Sequence, residues 1–110
     1  MTVTELSEML GLEAVCCPCP EKQVTGGYAG DLLSWVMGRA NSGDAWITIM
    51  SNINVIAVAT LADTSAVILA EGVSMEESTV QTAFDKGVNI FKTDKPVFET
   101  AAAVFKALEK

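Results

Sequence analysis

At 110 residues, half of them hydrophobic and 19% charged, the chain has the length of one domain and enough apolar material to bury a core. That excludes a disordered tail and leaves no room for a second independent core. Fourteen acidic groups against seven scattered basic ones give a net charge of −7, so neither a nucleic-acid backbone nor an anionic membrane is an expected partner.

Thr2 and Glu5 stand at capping-box spacing, which predicts an opening helix to about Leu10, closed by Gly11. Glu5 and Glu8 lie where a secretory leader carries positive charge, and no apolar run reaches the roughly 18 residues of a bilayer span, so the expected location is cytoplasmic. Residues 12–16 read as a short strand that stops in the loop Cys16-Cys17-Pro18-Cys19-Pro20. A second extended stretch, residues 23–25, meets the glycine loop Gly26-Gly27-Tyr28-Ala29-Gly30. Asp31 is then placed to cap a short helix over residues 32–37, ending at Gly38.

After a turn at residues 41–44, residues 45–50 have the β-branched and aromatic content of a strand. Residues 55–62 are a continuous apolar run that fits either a buried strand or a buried helix. Their alanines, the caps available at Asn52 or Asn54, and the crossover needed before a strand at residues 66–70 select helix. Ser74 and Glu77 repeat the capping-box spacing before a helix whose Val80, Ala83 and Phe84 share a face and which Gly87 closes. A strand at residues 88–91 follows. Asp94 and the early Pro96 then open a last helix with Val97, Ala101, Val104, Phe105 and Leu108 at helical spacing. Strands alternating with helices predict an α/β fold: a single compact domain over residues 1–110, with a mainly parallel central sheet flanked by helices and built from βαβ units.

The chain has no histidine, which removes the commonest general base, triad partner and imidazole ligand. The carboxylates fall beside helix starts and turns, where capping explains them, so no catalytic residue is assigned. Cys16, Cys17 and Cys19 are odd in number and leave a tetrahedral zinc site one ligand short. They are read as structural thiols without disulfide, metal or cofactor; the alternative is a metal site pooled between two copies. Tyr28, Trp35 and Trp46 are read as core or interface aromatics.

The most informative segment runs from Thr25 to Asp31. Its glycines free the backbone to approach a ligand, and amides at a helix start hold anions. It lacks the Gly-Lys-Ser/Thr of a P-loop and the spaced glycines of a dinucleotide fingerprint, and Asp31 opposes an incoming phosphate. Thr25, Gly26, Gly27, Tyr28 and Asp31 are therefore read first as a tight turn, with left-handed backbone at a glycine, and second as a ligand-binding or interface edge.

The run from Glu21 to Ser34, with its literal Thr25-Gly26-Gly27, resembles the DRTGG-domain family, named after an Asp-Arg and a Thr-Gly-Gly signature. Gly43-Asp44-Ala45-Trp46-Ile47-Thr48-Ile49 and Asn54-Val55-Ile56-Ala57-Val58-Ala59 also look like its pattern. Glu21-Lys22 stands in place of Asp-Arg, and the cysteine loop is peculiar to this chain. Family members occur as stand-alone small proteins, some encoded near iron hydrogenases, and as modules joined to nucleotide-sensing CBS domains or to phosphotransacetylases. What the resemblance implies is a non-catalytic, dimerising regulatory or ligand-sensing module. The competing expectation is an enzyme or carrier acting on a small anionic metabolite, a nucleotide or acyl phosphate, at the Gly26-Gly27 loop. A homodimer is expected through residues 55–62, which lack a polar face and so need cover on both sides; a protein partner or a small anionic ligand is the further expectation.

Overall fold

The computed structural model describes residues 1–109. Five strands are present, β1 (Glu13–Cys16), β2 (Gly26–Ala29), β3 (Asp44–Thr48), β4 (Ala66–Leu69) and β5 (Ile90–Lys92). They form one sheet in the order β1-β5-β4-β3-β2, in which β2 to β5 are parallel neighbours and β1 pairs antiparallel with β5. The helices are α1 (Val3–Leu10), α2 (Leu33–Arg39), α3 (Asn54–Ala62), α4 (Glu77–Asp85) and α5 (Val97–Leu108). The α/β architecture and the parallel sheet are those the sequence predicts.

From β2 to β5 each connection advances one strand in the same direction, and right-handed crossovers place all three intervening helices on one face. There α2, α3 and α4 bury Val36, Val55, Ile56, Val58, Ala59 and Ala83 against Trp46, Val67, Leu69 and Ile90. On the other face α1 and α5 bury Val3, Leu6 and Val104 against Ala45, Ile47, Ala66, Ile68 and Phe91. Strands buried on both sides are apolar through their middles, which is why Ala45-Trp46-Ile47 of β3 and all of β4 read as continuous runs rather than alternating ones, with the buried Asp44 and Thr48 at the ends of β3 held by hydrogen bonds.

The chain must still cross the whole sheet to join β1 to β2, and it does so beneath the N-terminal ends of the strands. The buried Asn89 amide staples this crossing by accepting from Cys19 N at 2.9 Å and donating to Cys19 O at 2.8 Å and Ser65 O at 2.9 Å. Ser65 Oγ then donates to Gln23 O, and Thr25 N donates to Gly43 O at 3.0 Å. Residues 23–25 are accordingly no strand; their one ladder contact is the isolated bridge from Gln23 to Thr2.

The helix starts separate local from distant capping. The Thr2–Glu5 box forms, with Glu5 N donating to Thr2 Oγ1 at 3.1 Å and Thr2 N to Glu5 Oε1 at 2.9 Å. The Thr2 amide holds the Glu5 carboxyl below its usual range. The expected box at Ser74 does not form: α4 starts later, at Glu77, with no side-chain cap. Asp94 does not cap α5 either. That helix follows Pro96, and Glu71 Oε2 takes the Val97 amide at 2.9 Å. Phe84 and Phe105, expected on buried faces, are 54% and 72% exposed, because Thr79 and Ala83 on α4 and Thr100 and Val104 on α5 take the inward positions. Among the described residues no helix is long and apolar enough to cross a membrane.

Candidate functional site: a groove between the edge strand and the last helix

Gly26 and Gly27 do not form a loop. They begin β2, paired in parallel register with Asp44 and Ala45 of β3, and the positive-φ glycines are Gly11, Gly43, Gly72 and Gly87 instead. Gly26 is needed for space, and neither glycine is needed for left-handed backbone. A Cβ on Gly26 would stand 2.7 Å from Asp44 Oδ1, and one on Gly27 would stand 3.4 Å from Val104 Cγ1.

β2 is the edge of the sheet, and α5 packs over β2 and β3. Toward α5 the strand offers Gly27 and, by alternation, Ala29; the helix offers Ala101 and Ala102. These small residues leave an open groove of about 740 Å³ that Thr25, Gly26 and Tyr28 also line. Phe98 and Phe105 rise beside it, 82% and 72% exposed. Glu109 is the one charged residue in the lining among the described residues. The groove therefore suits an apolar occupant or a strand, and among the described residues it holds neither a cation for an anionic group nor an acid–base pair.

Asp31 is placed elsewhere. Its Oδ1 accepts from Thr48 Oγ1 at 2.7 Å and Ile49 N at 3.0 Å, tying the segment after β2 to the end of β3. The start of α2 has Leu32 as its cap and no side-chain cap bond, so the expected Asp31 cap is corrected to a strand-end clamp. Four of the five candidate residues thus share one groove and the fifth does not. The α5 side of that groove, Phe98, Ala101, Ala102 and Phe105, escaped the sequence reading. Its signal was present: α5 is apolar around more of its circumference than one buried face requires.

Of the aromatics, Trp46 is fully buried and donates from Nε1 to Gly30 O at 2.9 Å. Trp35 is 51% exposed, with the Arg39 guanidinium 3.7 Å from its ring centroid. The three thiols are unpaired and half-buried. Cys16 Sγ donates to Val88 O at 3.4 Å, and burial pushes the Cys16 and Cys17 thiols up from their ordinary value. A second, polar hollow of about 630 Å³ lies before α3 and α4, lined by Ser51, Asn52, Ser74, Glu76, Ser78, Thr79 and Thr82, with Ile53.

No family model and no curated protein matches the sequence. Among solved structures, the chain superposes on the CBS and DRTGG domains of the regulatory region of Clostridium perfringens pyrophosphatase, complexed with the activator diadenosine tetraphosphate. The TM-score is 0.74 at 14% identity, over 97% of this chain and 47% of that one. The two share a fold. The chain spans about half the length of that regulatory region, and at this identity the likeness is one of backbone architecture. It meets, at the level of fold, the DRTGG resemblance carried by Thr25-Gly26-Gly27.

Proposed function

We propose that residues 1–110 constitute a single non-catalytic regulatory module that dimerises and works by binding. The observation that carries this reading is the β2–α5 groove: it is apolar, walled by exposed aromatics, and among its described lining residues Glu109 is the one charged group, with no Lys, Arg or Cys and no second carboxylate beside it. The structural neighbour is part of a regulatory region and was captured with a nucleotide activator, which supports a regulatory role and makes nucleotides the first ligand class to screen. The rival, an enzyme or carrier handling an anionic metabolite at Gly26-Gly27, lacks support from the lining: no Lys or Arg reaches the groove among the described residues.

Thermal melting with nucleotides, dinucleoside polyphosphates and acyl phosphates tests the reading, followed by turnover assays on every hit. A ligand at a hundredfold excess over its Kd stabilises by about 2.7 kcal/mol, roughly a 10 °C shift for a domain of this size. The expected result is a shift without turnover. Chemical conversion of a hit ligand, abolished by substitutions in the groove, would sink the non-catalytic reading.

A further inference from the structure

We infer that the β2–α5 groove is the seat of a second copy of this chain, docked by antiparallel pairing of β2 with its counterpart and by packing of α5 against α5 over the seam. This rests on the dimerising reading above and supplies the surface, which differs from the residue 55–62 face expected from the sequence.

Edge strands are normally guarded by charge, proline or a bulge, because their unpaired amides and carbonyls template the addition of another chain. β1 has such guards: Glu13, a register irregularity between Ala14 and Cys16, and Pro18 just beyond. β2 has none. It reads Gly-Gly-Tyr-Ala, pairs with β3 in unbroken register, and among the described residues has no strand on its other side.

The geometry of α5 fits a twofold axis perpendicular to the sheet at that edge. Such an axis keeps both α5 helices on the same face and makes them antiparallel. With α5 lying between β2 and β3, two copies joined at β2 place their α5 axes two strand spacings apart, about 9–10 Å, which is the ordinary separation of packed helices. The outward face of α5 is self-complementary at this distance. Phe98 and Phe105 project two turns apart with Ala102 between them, so each copy offers knobs and the notch that receives them. The two rings, about 200 Å² each when free, contribute roughly 300 Å² per copy; the β2 edge, Leu108 and the groove floor extend the patch toward the about 800 Å² per partner of a standard interface. The lining itself is apolar but for Glu109 among the described residues, so the groove is shaped for an apolar self-contact and not for a basic partner, and that contact forms against the mutual repulsion of two acidic chains.

Sedimentation and light scattering across micromolar concentrations, with hydrogen exchange at residues 26–29, test this on the intact chain. The expected result is a dimer that tightens with salt, as two chains of charge −7 must when their mutual repulsion is screened, with slow exchange along β2. Phe105→Asp and Ala102→Arg, both at exposed positions, should raise the dissociation constant by roughly thirtyfold or more and release the β2 amides, whereas Leu61→Asp on α3 should change neither. A compact wild-type monomer overturns this inference and the dimerising reading together. A dimer abolished by Leu61→Asp and untouched by Phe105→Asp overturns this surface alone. Equal exchange at β2 in wild type and Phe105→Asp refutes the strand pairing and with it the proposal, as does a monomer whose groove takes up a fluorescent fatty acid.

Discussion

Gly26 sits where the buried Asp44 carboxylate leaves no room for a side chain: a Cβ there would lie 2.7 Å from Asp44 Oδ1, while the Asn41 amide holds Oδ2 at 2.8 Å. Gly26→Ala must therefore displace Asp44 and loosen that hydrogen bond, at a cost of about 1–3 kcal/mol by overpacking. Gly27→Ala meets Val104 and Ala45 O at ordinary contact distances, 3.4 and 3.5 Å, and should be close to neutral. Denaturant titrations of Gly26→Ala, Asp44→Gly and the double variant give the coupling between the two sites. The penalty of Gly26→Ala should shrink when the Asp44 side chain is gone, and additive effects would refute the steric account.

Glu71 caps a helix that begins 26 residues later, and does so from a left-handed backbone with φ 62°. Glu71→Ala keeps the backbone strain and loses the acceptor for Val97 N, so it should destabilise by about 1 kcal/mol. Glu71→Gly loses the same acceptor but relieves a left-handed non-glycine residue, worth about 1–2 kcal/mol. The glycine variant should melt above the alanine variant; the reverse order would show that Glu71 acts otherwise than as a cap.

Thr64 Oγ1 is the buried side-chain oxygen left without a hydrogen-bond partner among the described residues. Replacing an unpartnered hydroxyl by a methyl of the same shape removes a desolvation cost, so Thr64→Val should be neutral or stabilise by about 1 kcal/mol. A loss in thermal or chemical melts would mean that the hydroxyl finds a partner in solution.

Burial raises the Cys16 and Cys17 thiols, so both should stay protonated at neutral pH and alkylate slowly, with rates that climb as pH rises past the ordinary thiol range. Because the folded pKa lies above the unfolded one, their contribution to stability is complete below the unfolded pKa and is lost as pH rises toward the folded value. Alkylation followed by peptide mapping across pH reads the first effect. Alkaline denaturation of a Cys16→Ser, Cys17→Ser variant should show a flatter decline than the parent. Elemental analysis of anaerobically purified protein is expected to find no stoichiometric metal at these thiols.

What the sequence revealed and what it hid divide by range. The Thr2–Glu5 box, the αL closure at Gly11 and the helical reading of residues 55–62 depend on neighbours along the chain, and each is found. The start of α5 depends on Glu71, whose approach exists only once β4 and β5 lie side by side, so the nearer Asp94 looked like the cap. Ser74 had a box's spacing, but α4 does not start until Glu77, while Met75 packs against the core. Gly26-Gly27 had the composition of a turn. Only the closeness of Asp44 explains why the strand opens with glycine at position 26, while at Gly27 Val104 leaves ordinary contact room. Thr25, Gly26, Gly27 and Tyr28 were found for the groove, whereas its other wall arrives from α5, seventy residues or more downstream.

The two margins of the sheet are unlike, β2 bare and β1 interrupted between Ala14 and Cys16 before Pro18. A sheet with two receptive margins propagates head to tail without limit and is a seed for fibrils; one with a single receptive margin is a terminator. If a strand joins at β2, as proposed above, it finds no equivalent berth on the opposite flank, and assembly by strand addition would be finite. On the strand pairing proposed above, Glu13, the irregularity in β1 and Pro18 together would act as the growth stop, and a variant that removed all three would turn a self-limiting building block into a polymerising one.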